Sequence, residues 1–548
     1  MKASFKQLAL SAAMVAISSV AAAGILPGAH PNYPLVTDLN MTGGSTVDVI
    51  INIQGASAPD VALDTFVSTL AKAGTLTKFS DRSSTPGSSY TAWFMTIDHN
   101  VVNAINKDTA MAADKNVLIR KRSSGGSYFG TTPIANSDAT ATGSNAITQM
   151  ALTDANCGTV ASFGRQCSSA VTVAGAQVVG DMGTSDLPPS VFNSINLAAG
   201  QTGCGTSCTS NLNSDDTFAL AIGVPVTNAL YKRLQLAEGL NKDSNGDSID
   251  DVDQSDATFN TPALQAAFIA NMPSLSRAQL ASLYAGFIPD FAAVNFGKDA
   301  SGNALPLTDL SFGPALSDSR VFVCRRPAGS GTQAAINANI LNAPCSTDAD
   351  APLGDNTPNV TSKGVGTSGA TWAAPVAPAF PTGPVIHEAS GSGDVDACLT
   401  SINGAGELGV GLLSVEKKSG SWAFIKIDGV APTLQNMVSG KYANWGNESY
   451  QWRKTTNAPT GDTLNILKAI RAESASPATL NVANQSVQYK FGISGGASVN
   501  AALPVDASGF LLPFDITKPV MEYTRNGKTC NVDKPRDGVV AGVEFLAK

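Results

Sequence analysis

Apolar residues follow two rhythms along this chain. Short runs dense in Val, Ile and aromatic residues, at 47–53, 92–97, 116–122, 171–179, 218–226, 320–326 and 408–415, predict β-strands. Between them apolar residues recur at three- and four-residue spacing. Val61, Phe66, Val67 and Leu70 share one helical face, Leu280, Leu283, Tyr284 and Phe287 another, and Ile336 and Ile340 a third. Ser276 and Gln279 have the spacing of a capping box, and Pro59 with Asp60 suits the first turn of a helix. Several strands run into Gly/Ser-rich loops and then into helical periodicity. That order predicts α/β units whose sites lie at the C-terminal ends of strands.

Composition narrows the setting. Of 548 residues, 43% are hydrophobic and only 14% charged, with 51 Gly and 29 Pro, which suits a loop-rich exported protein with large packed cores. Lys and Arg number 35 against 43 Asp and Glu, a net charge of −8, so a nucleic-acid partner held by a basic face is not expected, while a single buried anion is compatible. Lys2 and Lys6, an apolar stretch at 8–20 and Ala21-Ala22-Ala23 predict a signal peptide over 1–23 and a periplasmic or extracellular location. No Cys follows that cleavage point to carry a lipid, and no later apolar run is long enough for a membrane span. Eight cysteines in an oxidising compartment favour disulfides. Proximity suggests Cys157 with Cys167, Cys204 with Cys208, Cys324 with Cys345 and Cys398 with Cys530, although spacing alone does not fix connectivity. The Cys204 and Cys208 pair also fits half of a zinc site but lacks a second pair at matching spacing. Segments 130–170 and 351–383 are poor in large apolar residues and predict surface insertions.

The sharpest motif is Arg326-Pro327-Ala328-Gly329-Ser330-Gly331-Thr332, between a predicted strand and a predicted helix. A helix N-terminus offers unpaired N–H groups, hydroxyls add donors, glycine lets the backbone come close, and an Arg can clamp an oxyanion through two N–H groups. A plain strand-to-helix turn with a Ser cap is the competing reading. Three more loops share the character: Gly55-Ala56-Ser57, Ser123-Ser124-Gly125-Gly126 and Gly183-Thr184-Ser185-Asp186. A carboxylate in such company suits an anion that still carries a proton, because Asp can accept that O–H.

In order and character these four loops resemble the substrate-binding proteins of bacterial phosphate ABC importers, whose pattern is Gly-Ala-Ser/Thr, Gly-Ser-Ser-Gly-Gly, Gly-Ala-Ser-Asp and Arg-Ser-Asp-Gly-Ser-Gly-Thr. The likeness runs from about Val47 to Trp445 and includes 280–287, 406–415 and 428–433. It implies a two-lobed periplasmic binding protein fold of type II, with a cleft between two α/β domains and disulfide-stapled insertions. Lobe 1 would comprise 24–226 and 411–548, and lobe 2 would comprise 227–410. It further implies a binding protein without enzymatic activity, with inorganic phosphate as ligand and an ABC permease or further copies of the chain as partner. Carried over by position, Ser57, the backbone of Ala58, and Ser123 would serve the first two loops, Asp186 would accept the ligand proton, and Arg326, Ser330, Gly331 and Thr332 would close the other side. Pro327 and Ala328 depart from the family pattern and remove the acid that would support Arg326, and Ala58 replaces a common aromatic. An extracellular structural or adhesive protein that kept this scaffold is the alternative reading.

Asn241, Asp243, Asn245 and Asp247, with Gly246 in sixth place and Asp250, Asp251 and Asp253 following, alternate oxygen ligands as a calcium loop does. Val252 stands where an EF-hand needs its bidentate acid, so a solvated acidic loop is the other reading. His30, His99 and His387 have no metal-type spacing. Ser330 lies in Gly-Ser-Gly, but Thr332 occupies the last Gly of a nucleophile elbow, so hydrolysis is not expected.

Overall fold

The computed structural model describes residues 47–536, apart from 83–88, 138–146, 170–177, 253–260, 355–382, 487–494 and a few shorter interruptions. The predicted signal peptide, most of the predicted strand at 171–179 and most of the 351–383 insertion lie outside the described residues. The chain is mixed α/β. The strands that position the site are β1 (Val49–Gly55), β2 (Tyr90–Ile97), β3 (Lys115–Arg122), β4 (Met182–Ser185), β5 (Leu212–Thr227), β6 (Phe322–Arg325), β7 (Val385–Glu388), β8 (Gly409–Gly411), β9 (Trp422–Ile427) and β10 (Trp445–Arg453). The helices that matter here are α1 (Asp60–Ser68), α2 (Arg277–Tyr284), α3 (Gly331–Asn339) and α4 (Ser392–Gly404).

β1 is parallel to β3 and β4, and β2 runs antiparallel on β3. At the other end of the same hydrogen-bonded path, β6 is parallel to β7 and β8. The 16-residue β5 links the two regions. Its residues Leu212–Ala221 pair with β10, and its residues Val224–Thr227 pair with β9. Two large hydrophobic cores result. One gathers Ile51, Phe66, Trp93, Ile119, Phe218, Leu220 and Tyr450. The other gathers Val224, Val226, Leu280, Tyr284, Val323, Ile336, Leu399 and Phe424. Strand alternation shares β5 between them: Phe218 and Leu220 enter the first core while Ala219 and Ala221 enter the second. A strand buried on both faces reads as a continuous apolar run.

The capping box forms as expected, with Gln279 N donating to Ser276 Oγ at 3.1 Å and Ser276 N donating to Gln279 Oε1 at 2.8 Å. Leu280, Leu283 and Tyr284 are buried, but Phe287 is 64% exposed. It lies beyond the end of α2 and after Gly286, whose φ of 79° breaks the helical register. The disulfides Cys157–Cys167 and Cys204–Cys208 match the expected pairs. The other two do not: Cys324 bonds Cys398, and Cys345 bonds Cys530. Cys324 lies on β6 and Cys398 on α4, which packs in the same core, whereas α3 carries the chain away between Cys324 and Cys345.

Candidate functional site

β1, β3 and β4 run in the sense of β5 while β6 and β7 run against it, so two oppositely directed sets of strands each deliver their C-terminal ends to a site. The loops that follow β1, β3, β4, β6 and β7 touch one another. Ser57, between β1 and α1, accepts a hydrogen bond from Arg326 Nη1 at 3.3 Å, and its Oγ lies 3.1 Å from the Oγ of Ser392, the first residue of α4. The same arginine nitrogen reaches Ser392 Oγ at 3.4 Å. Thr332 Oγ1, near the start of α3, donates to Asp186 Oδ2 at 3.0 Å. Ser330 caps α3, its Oγ accepting from Gln333 N at 3.4 Å. At Gly331 a Cβ would stand 2.3 Å from Ser127 Oγ and 2.7 Å from Asp186 Cβ, so glycine is what lets α3 come this close to the loop after β4. Ser123 Oγ accepts from Lys121 Nζ at 3.0 Å, and Ala58 is buried next to Ser57. The loops also meet through backbone: Tyr128 N donates to Gly329 O and Gly329 N to Asn196 O, both at 2.9 Å.

Arg326 and Asp186 are 2% and 3% exposed. Burial raises the Asp186 carboxyl above its ordinary range, against the Thr332 hydrogen bond and the charges of Arg326 and Lys121. Burial likewise lowers the Arg326 guanidinium, opposed by Asp186, Asp394 and Asp60. Asp186 Oδ1 has no hydrogen-bond partner among the described residues. A buried acceptor left in that state costs about 1–3 kcal/mol. The arrangement therefore gathers one guanidinium, several hydroxyls and the N-termini of two helices, groups of the type that can donate to an anion, beside a carboxylate oxygen that can accept a proton.

Sequence reasoning missed four of the residues gathered here: Lys121, Asp60 as its partner, Ser392 and Glu448. Lys121 is fully buried, with Nζ donating to Ala56 O at 2.6 Å and lying 3.3 Å from Asp60 Oδ1. The signal was present in Arg120-Lys121-Arg122, because successive strand residues face opposite sides and three consecutive cations cannot share one solvent face. Arg120 instead donates from Nε to Asn52 Oδ1 at 2.9 Å, and Arg122 stacks over the Phe129 ring. Glu448 on β10 is 1% exposed, and burial, then repulsion from Asp186 and Glu416, holds its carboxyl well above the ordinary range.

The other candidate features lie elsewhere. In the 241–247 loop Asp243 accepts from the N–H groups of Gly246, Asp247 and Ser248, and Asp247 Oδ1 accepts from Ile249 N at 2.8 Å. Asn241 Oδ1 and Asn245 Oδ1 accept from Asp243 N and Asp247 N at 3.2 and 3.1 Å, which leaves each oxygen one lone pair. Among the described residues, the carboxylate and imidazole atoms that gather within 4.8 Å belong to Asp98, His99 and Asp114. There Lys72 and His99 already hold the Asp114 carboxylate. His387 is buried on β7, beside Cys324 on β6. No helix among the described residues is long and apolar enough to cross a membrane.

Comparison with solved structures finds a distant likeness in fold to phosphate-binding proteins. A candidate phosphate ABC transporter substrate-binding protein of Clostridium perfringens, solved with bound phosphate, is 12% identical over 81% of this chain and 99% of its own, with a TM-score of 0.35. An ABC-type phosphate transport receptor of Vibrio cholerae is 11% identical over 81% of this chain and 99% of its own, with a TM-score of 0.34. The PstS protein of Borrelia burgdorferi is 11% identical over 82% and 99%, with a TM-score of 0.30. No protein-family model matches the sequence, and no curated protein matches it significantly.

Proposed function

We propose that this chain is an exported binding protein that holds one phosphate-type oxyanion between two lobes, formed by 24–226 with 411–548 and by 227–410. The observation that carries the reading is the buried constellation in which Arg326 bridges Ser57 and Ser392 while Thr332 meets Asp186. Arg326 and Thr332 meet partners 269 and 146 residues away in sequence, Ser57 and Asp186, around a guanidinium that is buried. In this reading Ser57, Ala58, Ser123, Arg326, Ser330 and Gly331 supply donors, Thr332 adds its main-chain N–H because its hydroxyl proton goes to Asp186 Oδ2, and Asp186 Oδ1 takes the ligand's proton. Phosphate near neutral pH carries such a proton and sulfate does not, so Asp186 discriminates by repulsion as well as by attraction. Four disulfides favour an oxidising compartment.

The test is isothermal titration with phosphate and with sulfate, on protein refolded to strip bound anion. One phosphate site per chain is expected, with weaker sulfate binding and a narrower preference in Asp186→Asn, whose amide can donate where the acid only accepts. Absence of heat with phosphate overturns the reading. A second reading, an extracellular structural protein built on this scaffold, draws on the backbone ties from Tyr128 and Asn196 to Gly329, which join the site loops through main-chain hydrogen bonds. A melting temperature that phosphate leaves unchanged would favour it, since a ligand bound to the native state must stabilise by mass action.

A further inference from the structure

We propose that Lys121 is a positioning residue for the anion site: it fixes Ser123 as an obligate hydroxyl donor and ties the loop after β3 to the loop after β1. The inference rests on the phosphate reading and concerns a residue that touches no ligand itself. An ammonium group has three protons and no lone pair. Lys121 Nζ donates to Ala56 O at 2.6 Å, to Ser123 Oγ at 3.0 Å and, more weakly, to Gly55 O at 3.5 Å, and it lies 3.3 Å from the counter-charge of Asp60 Oδ1. Its side chain is 0% exposed, so water supplies no substitute.

Because the ammonium can only donate, Ser123 Oγ must accept. A hydroxyl has a single proton, and with its oxygen held by Lys121 that proton is directed away from the lysine. The Ser123 amide is already used, donating to Ser89 O at 2.8 Å. The hydroxyl proton is thus what Ser123 has left to offer an anion. Thr332 is set the opposite way, its proton given to Asp186 at 3.0 Å. Two hydroxyls on facing loops are therefore oriented in opposite senses by two buried charges, one toward giving a proton to a ligand oxygen and one away from it. The contact with Ala56 O adds a second effect. It fixes the main chain next to Ser57, the acceptor of Arg326, so a single side chain sets the spacing between two anion-facing loops.

The experiment is a double-mutant cycle read by phosphate titration: wild type, Ser123→Ala, Lys121→Met and the double variant. Removing Lys121 leaves Asp60 buried without its counter-charge, so the Lys121→Met proteins are also made with Asp60→Asn, and thermal melting checks that each folds. Ser123→Ala should weaken phosphate binding roughly tenfold, the size of one hydrogen bond to a charged group. In the Lys121→Met background the same change should cost less than about threefold, because Ser123 is no longer held as a donor. A lysine that only supports the fold would leave the Ser123 loss undiminished, and that outcome overturns the proposal. If no Lys121 variant folds, Ser123→Ala in the wild-type background still tests the donor role on which the proposal depends, and wild-type affinity there overturns it. Failure of wild-type protein to bind phosphate sinks the phosphate reading instead, so the two failures are distinct.

Discussion

At the scale of single residues, what distinguishes this molecule is ionisable groups taken out of water. Glu416 is 6% exposed, and burial pushes its carboxyl from 4.5 up to about 8, with Lys417 Nζ at 3.6 Å only partly offsetting the shift. Between those values the native state keeps a proton that the unfolded chain releases. The associated stability is therefore full below pH 4.5 and is lost as pH rises through 8, with a slope of at most about 1.4 kcal/mol per pH unit for one group. Asp216, raised to about 6 by burial, adds to the same trend at lower pH. Denaturant unfolding at pH 5 and pH 8.5 should show wild type losing stability at the higher pH and Glu416→Gln losing less; equal losses would remove Glu416 as a cause. At this scale Ser57, Asp186, Arg326 and Thr332 were legible as a group because each ends a strand or starts a helix in a Gly-containing loop. Ser392 and Lys121 were not, since one begins a helix in an unremarkable Ser-Gly-Ser stretch and the other sits inside a strand.

At the scale of elements, the alternation of side chains at the end of β6 separates two neighbouring arginines. Arg325 pairs with Glu388 on β7 and donates to the Arg326 carbonyl, while Arg326 reaches across to Ser57 and Ser392. If the anion sits against Arg326, Arg326→Ala should weaken phosphate binding by about 30-fold or more, since losing one partner of a buried charged pair costs roughly 2–5 kcal/mol. Arg325→Ala should change affinity little. Titration of both variants checks this, and equal effects would place the ligand elsewhere. The strand positions were legible because they coincide with short runs dense in Val, Ile and aromatic residues. Their exact ends were less so: the run at 408–415 is two short strands, Gly409–Gly411 and Leu413–Ser414, and 320–326 contracts to Phe322–Arg325.

At the scale of the whole molecule, the segment after residue 495 spans both cores. Gly496–Ser498 pairs with Phe218–Leu220 of β5, Met521 is buried in the second core, and Arg525 donates to the carbonyls of Trp445 and Ala443 at 3.0 and 2.7 Å. Cys530 then closes a disulfide to Cys345, beyond the C-terminal end of the site helix α3, across 185 residues of sequence. On a chain-entropy estimate a loop of that size stabilises by about 5 kcal/mol. Replacing Cys345 and Cys530 together by Ala should lower the unfolding midpoint and, if ligand exchange requires the two cores to separate, speed phosphate release. Stopped-flow or radiolabel exchange would measure the second effect, and an unchanged release rate at lowered stability would show that the strap does not restrain the site.

The sequence by itself determined the local elements and the character of the loops, because both depend on neighbours a few residues apart: side-chain period, capping spacing, and glycine before a helix. It also suggested a resemblance of four ordered loops to phosphate-binding proteins, since that lies in residue types and their order. Only the tertiary structure decided which cysteines meet, because Cys324 and Cys398 are 74 residues apart and are joined by the packing of α4 on β6. Only it placed Lys121 inside, because a strand's sequence gives alternation but not which face the rest of the chain will cover. The convergence of Ser57, Asp186, Arg326 and Ser392 is likewise a product of two oppositely directed sets of parallel strands whose C-terminal loops meet, a relation among distant segments that no local pattern contains.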